Sequence, residues 1–369
     1  MSSINEKKIS VMLISPIAPP RGGLMTWTDE YLASMNNKGL NIEIVNTNYK
    51  GISQIIASDK RNFGFELKRS LRIWKDTFNA SKKCPDIVHL CSPCSFFGCL
   101  RDIITLSIAK IRCKHAHFIL HCHCNLNDYV GEKKKNKLAF KALLNLVDKV
   151  FVMNNQSVEY MRSIEFENVV NIPNCISERG NSSLIARESS KSILDVIFIG
   201  RQTFEKGIDV VIDVATKAKT NNDNIIFHIV GDDNEYMAQF TSLPKNIVIH
   251  GRKEHSETLS LLRNSDIMLF PSRTEGFPYV VLEAMMYGVP IIASRVGAID
   301  DMLSGTGAIV IDNFEAECYY DSLQKMKDFE ARRKVMTNER KRYEMMYTPE
   351  VVSERIINQY NELIRGNAI

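Results

Sequence analysis

Two glutamates eight positions apart, Glu275 and Glu283, stand in the run SRTEGFPYVVLEAMMYGVPIIAS. Paired carboxylates are the side chains of acid/base work at glycosidic bonds. Two cations five apart, Arg201 and Lys206, stand in VIFIGRQTFEKGIDVVIDVA. That spacing suits a diphosphate, whose two phosphates each need their charge neutralised. Two histidines two apart, His121 and His123 in HFILHCHCN, could hydrogen-bond hydroxyls or assist a proton transfer. Gly22 and Gly23, in SPIAPPRGGLMTW, allow close backbone approach to a ligand. Each set also has a plain structural explanation: a helix-dipole partner and a solvated helix glutamate, charges flanking a turn, a histidine closing a strand, an ordinary glycine turn.

A metal centre is the other chemistry to weigh. Cys91 and Cys94 form a C-x2-C about thirty residues before the His/Cys run, and zinc sites are built from such ligands. There is no second C-x2-C, and along the strand His121 and His123 share one face while Cys122 and Cys124 share the other. Small buried thiols in a reducing cytoplasm are therefore expected for these cysteines, and no metal.

These residues need elements to position them. Short apolar, β-branched runs alternate with longer helical ones, the pattern of a parallel α/β sheet. The first half predicts strands over 9–15, 42–46, 87–90, 117–121 and 150–153, with helices over 26–38, 65–81, 101–113 and 133–147. The stretch 96–111 is apolar but holds Arg101, Asp102 and Lys110, and reads as a buried helix rather than a membrane span. The second half restarts the theme with strands over 195–199, 225–230, 246–250, 267–270, 290–294 and 307–311, and helices over 207–220, 254–264 and 278–287. Residues 171–191 lack periodicity and read as a linker, and 349–364 reads as an amphipathic helix. Two runs of βα units predict two doubly wound domains, over 1–175 and 176–345, with 346–369 a helix crossing back to the first.

On this frame the chemistry falls at strand ends. The strand at 267–270 ends at Pro271, and Pro278 sits in the first turn of the next helix, where proline is tolerated. The amides of Glu275, Gly276 and Phe277 then lie near a helix N-terminus at the carboxyl edge of a sheet, where anions are favoured. The Glu283 side chain slants back toward the same mouth. Arg201 and Lys206 flank the loop after the strand that ends at Gly200.

The run around Glu275 and Glu283, with the G-R-x4-K-G arrangement from Gly200 to Gly207, resembles glycosyltransferase family 4 of bacterial surface-polysaccharide type. The resemblance implies a GT-B fold, two Rossmann-like doubly wound domains with an interdomain cleft. It implies a retaining transfer of sugar from a nucleotide-diphosphate sugar to a hydroxyl acceptor, metal-independent and with no cofactor beyond that co-substrate. It places Glu275, Gly276 and Phe277 on the donor sugar, Glu283 on the ribose, Arg201 and Lys206 on the pyrophosphate, and Val296 and Gly297 at a backbone contact in the nucleotide pocket. It places Gly22 and Gly23 toward the donor phosphates, and His123, with His121 second, toward sugar and acceptor. The family's N-G-[IV]-D reads Asn174-Cys175-Ile176-Ser177 here, which removes the glycine and the acid.

Charge points to the acceptor. The chain carries a net +4. Residues 1–170 hold 24 Lys+Arg against 15 Asp+Glu, a local +9, and the remainder holds 23 against 28, or −5. Phe140, Leu143, Leu144 and Val147 form an apolar stripe at helical spacing, and Lys133, Lys137 and Lys141 line another face. A face of this kind can rest on anionic lipid, so a lipid-linked glycan acceptor and a cytoplasmic protein peripheral to the inner face of the plasma membrane are expected, with no nucleic-acid partner. The competing readings are a non-hydrolysing epimerase, a non-catalytic nucleotide-sugar-binding subunit, and a dinucleotide oxidoreductase. The last lacks G-x-G-x-x-G after its first strand.

Overall fold

The structure is a computed structural model, and it describes residues 8–19, 22–36, 38–48, 63–131, 134–178, 193–232 and 235–366. The chain divides into two compact units, Met1–Cys175 with Pro349–Ile369, and Ile176–Thr348.

The first unit runs β1 (Ile9–Ser15), α1 (Gly23–Met35), β2 (Leu40–Asn46), α2 (Phe63–Ala80), β3 (Ile87–Ser92), α3 (Phe96–Arg112), β4 (His117–Cys122), α4 (Lys134–Leu144), β5 (Lys149–Val152), α5 (Asn155–Ser163) and β6 (Val169–Asn171). The second runs β7 (Leu194–Ile199), α6 (Ile208–Thr220), β8 (Ile225–Val230), β9 (Ile247–Gly251), α7 (His255–Asn264), β10 (Ile267–Phe270), α8 (Tyr279–Tyr287), β11 (Ile291–Ser294), α9 (Ile299–Leu303), β12 (Ile309–Ile311), α10 (Ala316–Lys325) and α11 (Phe329–Met346). The last helix, α12 (Pro349–Gly366), packs in the first unit.

Each unit holds a six-stranded sheet, ordered β2-β1-β3-β4-β5-β6 and β12-β11-β10-β7-β8-β9. The pairings are parallel, so both faces need cover and the central strands are apolar throughout. In the first sheet Met12, Val88, Leu120 and Val150 point toward Ile73, Leu106 and Phe140 of α2, α3 and α4. The opposite face meets α1 and α12, where the hydroxyls of Tyr31 and Tyr360 lie 2.8 Å apart and Lys38 Nζ donates to Ser353 Oγ at 2.8 Å. In the second sheet Phe198, Phe227 and Leu269 pack with Val211, Val214 and Tyr319 of α6 and α10.

The structure corrects several predicted boundaries. Helix α1 starts at Gly23, because the Gly22 carbonyl accepts from Thr26 N at 2.9 Å and closes a turn earlier than residue 26. Helix α3 starts at Phe96, since Ser95 caps it by accepting from Gly98 N at 3.2 Å. Nor is α3 a buried helix: Phe97 and Ile111 are each 74% exposed. Pro278 is the N-cap of α8 rather than a residue of its first turn. Helices α5, α9, α10 and α11 and strand β6 were not legible in the periodicity. Most of the predicted linker, from residue 179 on, lies outside the described residues.

Candidate functional site

In the second unit two strand-end loops meet. After β7 the chain makes a short turn over Phe204–Lys206 and enters α6 through Gly207. Gly207 has φ 75°, and a Cβ there would lie 2.1 Å from the Pro271 carbonyl oxygen. Only glycine lets the loop after β7 pack on the loop after β10. Arg273 fastens the two from the other side. Its amide donates to the Glu205 carbonyl at 2.8 Å, and its guanidinium forks onto Asp209 at 2.8 and 2.7 Å over the Phe204 ring.

This contact brings Lys206 to Glu275. Lys206 Nζ donates to Glu275 Oε1 at 2.6 Å, and Ser272 Oγ lies 2.8 Å from the same oxygen. The side chains are 23% and 11% exposed, so the pair is half sunk in the surface. The sequence reading sets Lys206 on phosphate and Glu275 on sugar as separate groups, whereas the structure bonds them to each other. Arg201 stays exposed; a backbone hydrogen bond and the Arg201 charge both help hold the nearby Glu205 carboxyl below the usual range.

The backbone past Glu275 is held from β11. Gly297, φ 55°, has its Cα so near that a Cβ would lie 2.1 Å from the Glu275 carbonyl oxygen, and Ala298 N donates to the Gly276 carbonyl at 3.0 Å. Val296, half-buried, precedes it and donates to the Ser294 carbonyl at 3.0 Å. The Phe277 side chain is buried, 5.9 Å from the Tyr347 ring. Glu283, only 7% exposed, accepts from His255 Nε2 at 2.7 Å. His255 opens α7 and was not singled out from the sequence, because no spacing links it to Glu283 twenty-eight residues on.

In the first unit Gly22, in extended backbone, caps α1 and Gly23 is its first residue. His121 is buried within β4, and His123 follows the strand end with its amide donating to the Ser92 carbonyl at 2.9 Å. Their ring centroids lie 4.2 Å apart with the planes tilted by 36°, against the Trp27 ring. Burial drives both imidazoles toward neutrality, His123 to about 3 and His121 well below the usual 6.5. The cysteines of the same run turn the other way, and Cys122 and Cys124 flank the Cys94 thiol, which their hydrogen bonds bring down to about 5. All nine cysteines are free thiols. Among the described residues, His89, Cys91 and His121 are the group whose ligand atoms lie close enough to share an ion, within 4.8 Å of one another. This differs from the Cys91–Cys94 set weighed from the sequence. His89 Nε2 and His121 Nδ1 lie 3.3 Å apart as hydrogen-bond partners.

Two doubly wound parallel sheets, one in each unit, are the architecture of the GT-B fold. Residues 186–343, most of the second unit, match the family described as Glycosyl transferases group 1. An uncharacterized 41.2 kDa protein in the cps region of Klebsiella pneumoniae is 28% identical over 244 residues, 62% of this chain and 66% of that protein. The capsular polysaccharide biosynthesis glycosyltransferase CapM of Staphylococcus aureus is 25% identical over 178 residues, 46% of each chain. The matches thus span about half to two thirds of those relatives. The fold as a whole is similar to that of the apo lipopolysaccharide outer core galactosyltransferase WaaB, with a TM-score of 0.70 at 17% identity over 97% of this chain and 100% of that one. It is also similar to Anabaena HepE in complex with UDP and glucose, with a TM-score of 0.68 at 13% identity over 96% of this chain and 100% of that one.

Proposed function

We propose that the protein is a retaining glycosyltransferase that moves a sugar from a nucleotide-diphosphate sugar to a hydroxyl acceptor in polysaccharide synthesis. The observation that carries this reading is the Lys206–Glu275 pair, set by two touching loops at the mouth of the second sheet. Lys206 and Arg201 are the cations for the departing diphosphate, whose negative charge grows in the transition state. The amides of Gly276 and Phe277 lie just before the N-terminus of α8, where backbone N–H groups favour an anion. Glu275, oriented by Ser272, is assigned to the donor sugar, and Glu283, oriented by His255, to the ribose hydroxyls. No nucleophile is assigned on the reacting face, so attack from the side of the leaving phosphate is the proposed route, without a metal. Gly22, Gly23, His121 and His123 of the first unit are assigned to the substrates by the same reading. The HepE complex with UDP and glucose supports a nucleotide-linked donor.

The acceptor is proposed to be a lipid-linked glycan at the inner face of the plasma membrane. Lys137 and Lys141 are exposed on α4, one turn apart, with Leu138 between them 73% exposed; Lys133 lies outside the described residues. Beside them Leu71 of α2 and Phe97, Ile104 and Ile111 of α3 also point outward. Basic and apolar side chains on adjacent helices suit adsorption to an anionic bilayer, each lysine contributing about 1 kcal/mol near the surface. Among the described residues no helix is long and apolar enough to cross a membrane.

Purified protein incubated with UDP-, GDP- and ADP-sugars tests the reading. Nucleotide release from at least one donor, enhanced by a membrane extract containing lipid-linked glycans, is the expected result. Absence of both binding and release for every donor would overturn it.

A further inference from the structure

The face of the first sheet covered by α1 and α12 carries a line of polar groups through an otherwise apolar core. The Tyr31 hydroxyl lies 2.8 Å from that of Tyr360, which lies 2.6 Å from His89 Nδ1. His89 Nε2 lies 3.3 Å from His121 Nδ1, and the His121 ring centroid lies 4.2 Å from that of His123, the planes tilted by 36°. Trp27 closes the side, its ring 4.8 Å from His121 and 4.9 Å from His123. One strand (β3), one neighbouring strand (β4) and two helices each contribute a member, so the line is a property of the folded unit.

Burial keeps these imidazoles neutral, with His89 at about 3. A neutral imidazole has one N–H and one lone pair, so each ring's proton is placed by its neighbours. Two orders satisfy the line. In one, Tyr31 donates to Tyr360, Tyr360 to His89 Nδ1, and His89 Nε2–H to His121 Nδ1, which leaves His121 with its proton on Nε2. The other is the reverse, and it leaves the Tyr31 hydroxyl proton pointing at no acceptor in this line. The first order is the one in which every hydroxyl proton of the line meets an acceptor within it, and we take it as the order in the folded unit. Nε2 of His121 and Nε2 of His123 are both buried and, among the described residues, have no hydrogen-bond partner. Folding alone disfavours two such orphans side by side, and a ligand oxygen would satisfy them.

We propose that Tyr31, Tyr360 and His89 are positioning residues that fix His121 as its Nε2–H tautomer and hold the neighbouring His121–His123 pair ready for an oxygen of the sugar substrates. This rests on the transferase reading for its substrate, but the tautomer itself can be read without turnover. Nitrogen-15 spectra of the histidines in the full chain at neutral pH are expected to show His121 as Nε2–H. In Tyr360→Phe, His89 loses its donor; His121 is then expected as a tautomer mixture, with kcat down about tenfold and donor KM unchanged. Tyr31→Phe, one bond further away, is expected to move the spectrum in the same direction with a smaller loss, and carries the test if Tyr360→Phe does not fold. An Nδ1–H tautomer in the unaltered chain would overturn the proposal, as would a Tyr360→Phe spectrum and kcat like those of the parent. So would one equivalent of zinc in the purified protein that disappears in Cys91→Ser, since His89 and His121 would then be ligands. A chain that shows the tautomer shift but turns over no nucleotide sugar would sink the transferase reading and leave the hydrogen-bonded line standing.

Discussion

At the scale of residues, the site depends on a cation held by a carboxylate. Lys206 bonded to Glu275 is not a free charge waiting for phosphate. Its ammonium is placed by the Glu275 carboxylate, and under the proposed function a diphosphate at the loop adds a second acceptor to the same nitrogen. Glu275→Gln removes the charge but keeps an oxygen for Ser272, so the chain is expected to fold while turnover falls by about 10²-fold. Initial rates with saturating donor check this, and a rate near that of the parent would detach Glu275 from turnover. His255→Ala leaves Glu283 buried without its partner and is expected to raise the donor KM more than it lowers kcat. These side chains were legible as types and spacings. Their bonds to each other were not, because the Lys206–Glu275 contact spans sixty-nine residues and depends on two loops whose packing hinges on Gly207.

At the scale of elements, the apolar strands announced themselves, because a parallel sheet buried on both faces must be nearly continuous in Val, Ile and Leu. The elements that escaped lack that signal. Helix α11 reads FEARRKVMTNERKRYEMM and buries few side chains, Val335, Met336 and Tyr343 among them, while β6 is three residues long. Helix α5 shows only its Asn154 cap, which accepts from Ser157 N at 2.7 Å. The loop after β11 gives a prediction of its own. Gly297→Ala puts a Cβ against the Glu275 carbonyl at φ 55°, so a loss of about 1–3 kcal/mol in urea unfolding is expected, with a displaced Glu275. Unchanged stability and unchanged donor affinity would contradict that packing.

The histidine-bearing strands β3 and β4 predict an acid sensitivity. Folded His89 and His123 titrate near 3 and His121 well below 6.5, while the unfolded chain takes up these protons near 6.5. The unfolded state therefore binds more protons between those values, and stability falls as pH drops below about 6.5, by up to about 1.4 kcal/mol per pH unit for each histidine. Urea midpoints at pH 7 and pH 5 measure it; a flat profile would contradict the burial of these rings.

At the scale of the molecule, two doubly wound units divide the composition unequally. The basic surplus lies in residues 1–170, where α4 and its neighbours expose lysines beside apolar side chains. Co-sedimentation with vesicles rich in anionic lipid is expected, weakening when Lys137 and Lys141 become Ser and when salt rises. Equal sedimentation of both forms would remove that face from the account. The acidic remainder carries the group 1 glycosyl transferase match and the loops around Lys206 and Glu275. Donor affinity of the full chain and of Lys206→Ala, measured by calorimetry with the nucleotide sugar that is turned over, tests the assignment of that site most directly. A loss of about tenfold or more in the variant, with its fold intact by circular dichroism, is the predicted result. Equal affinity in the two chains would place the diphosphate elsewhere and contradict it.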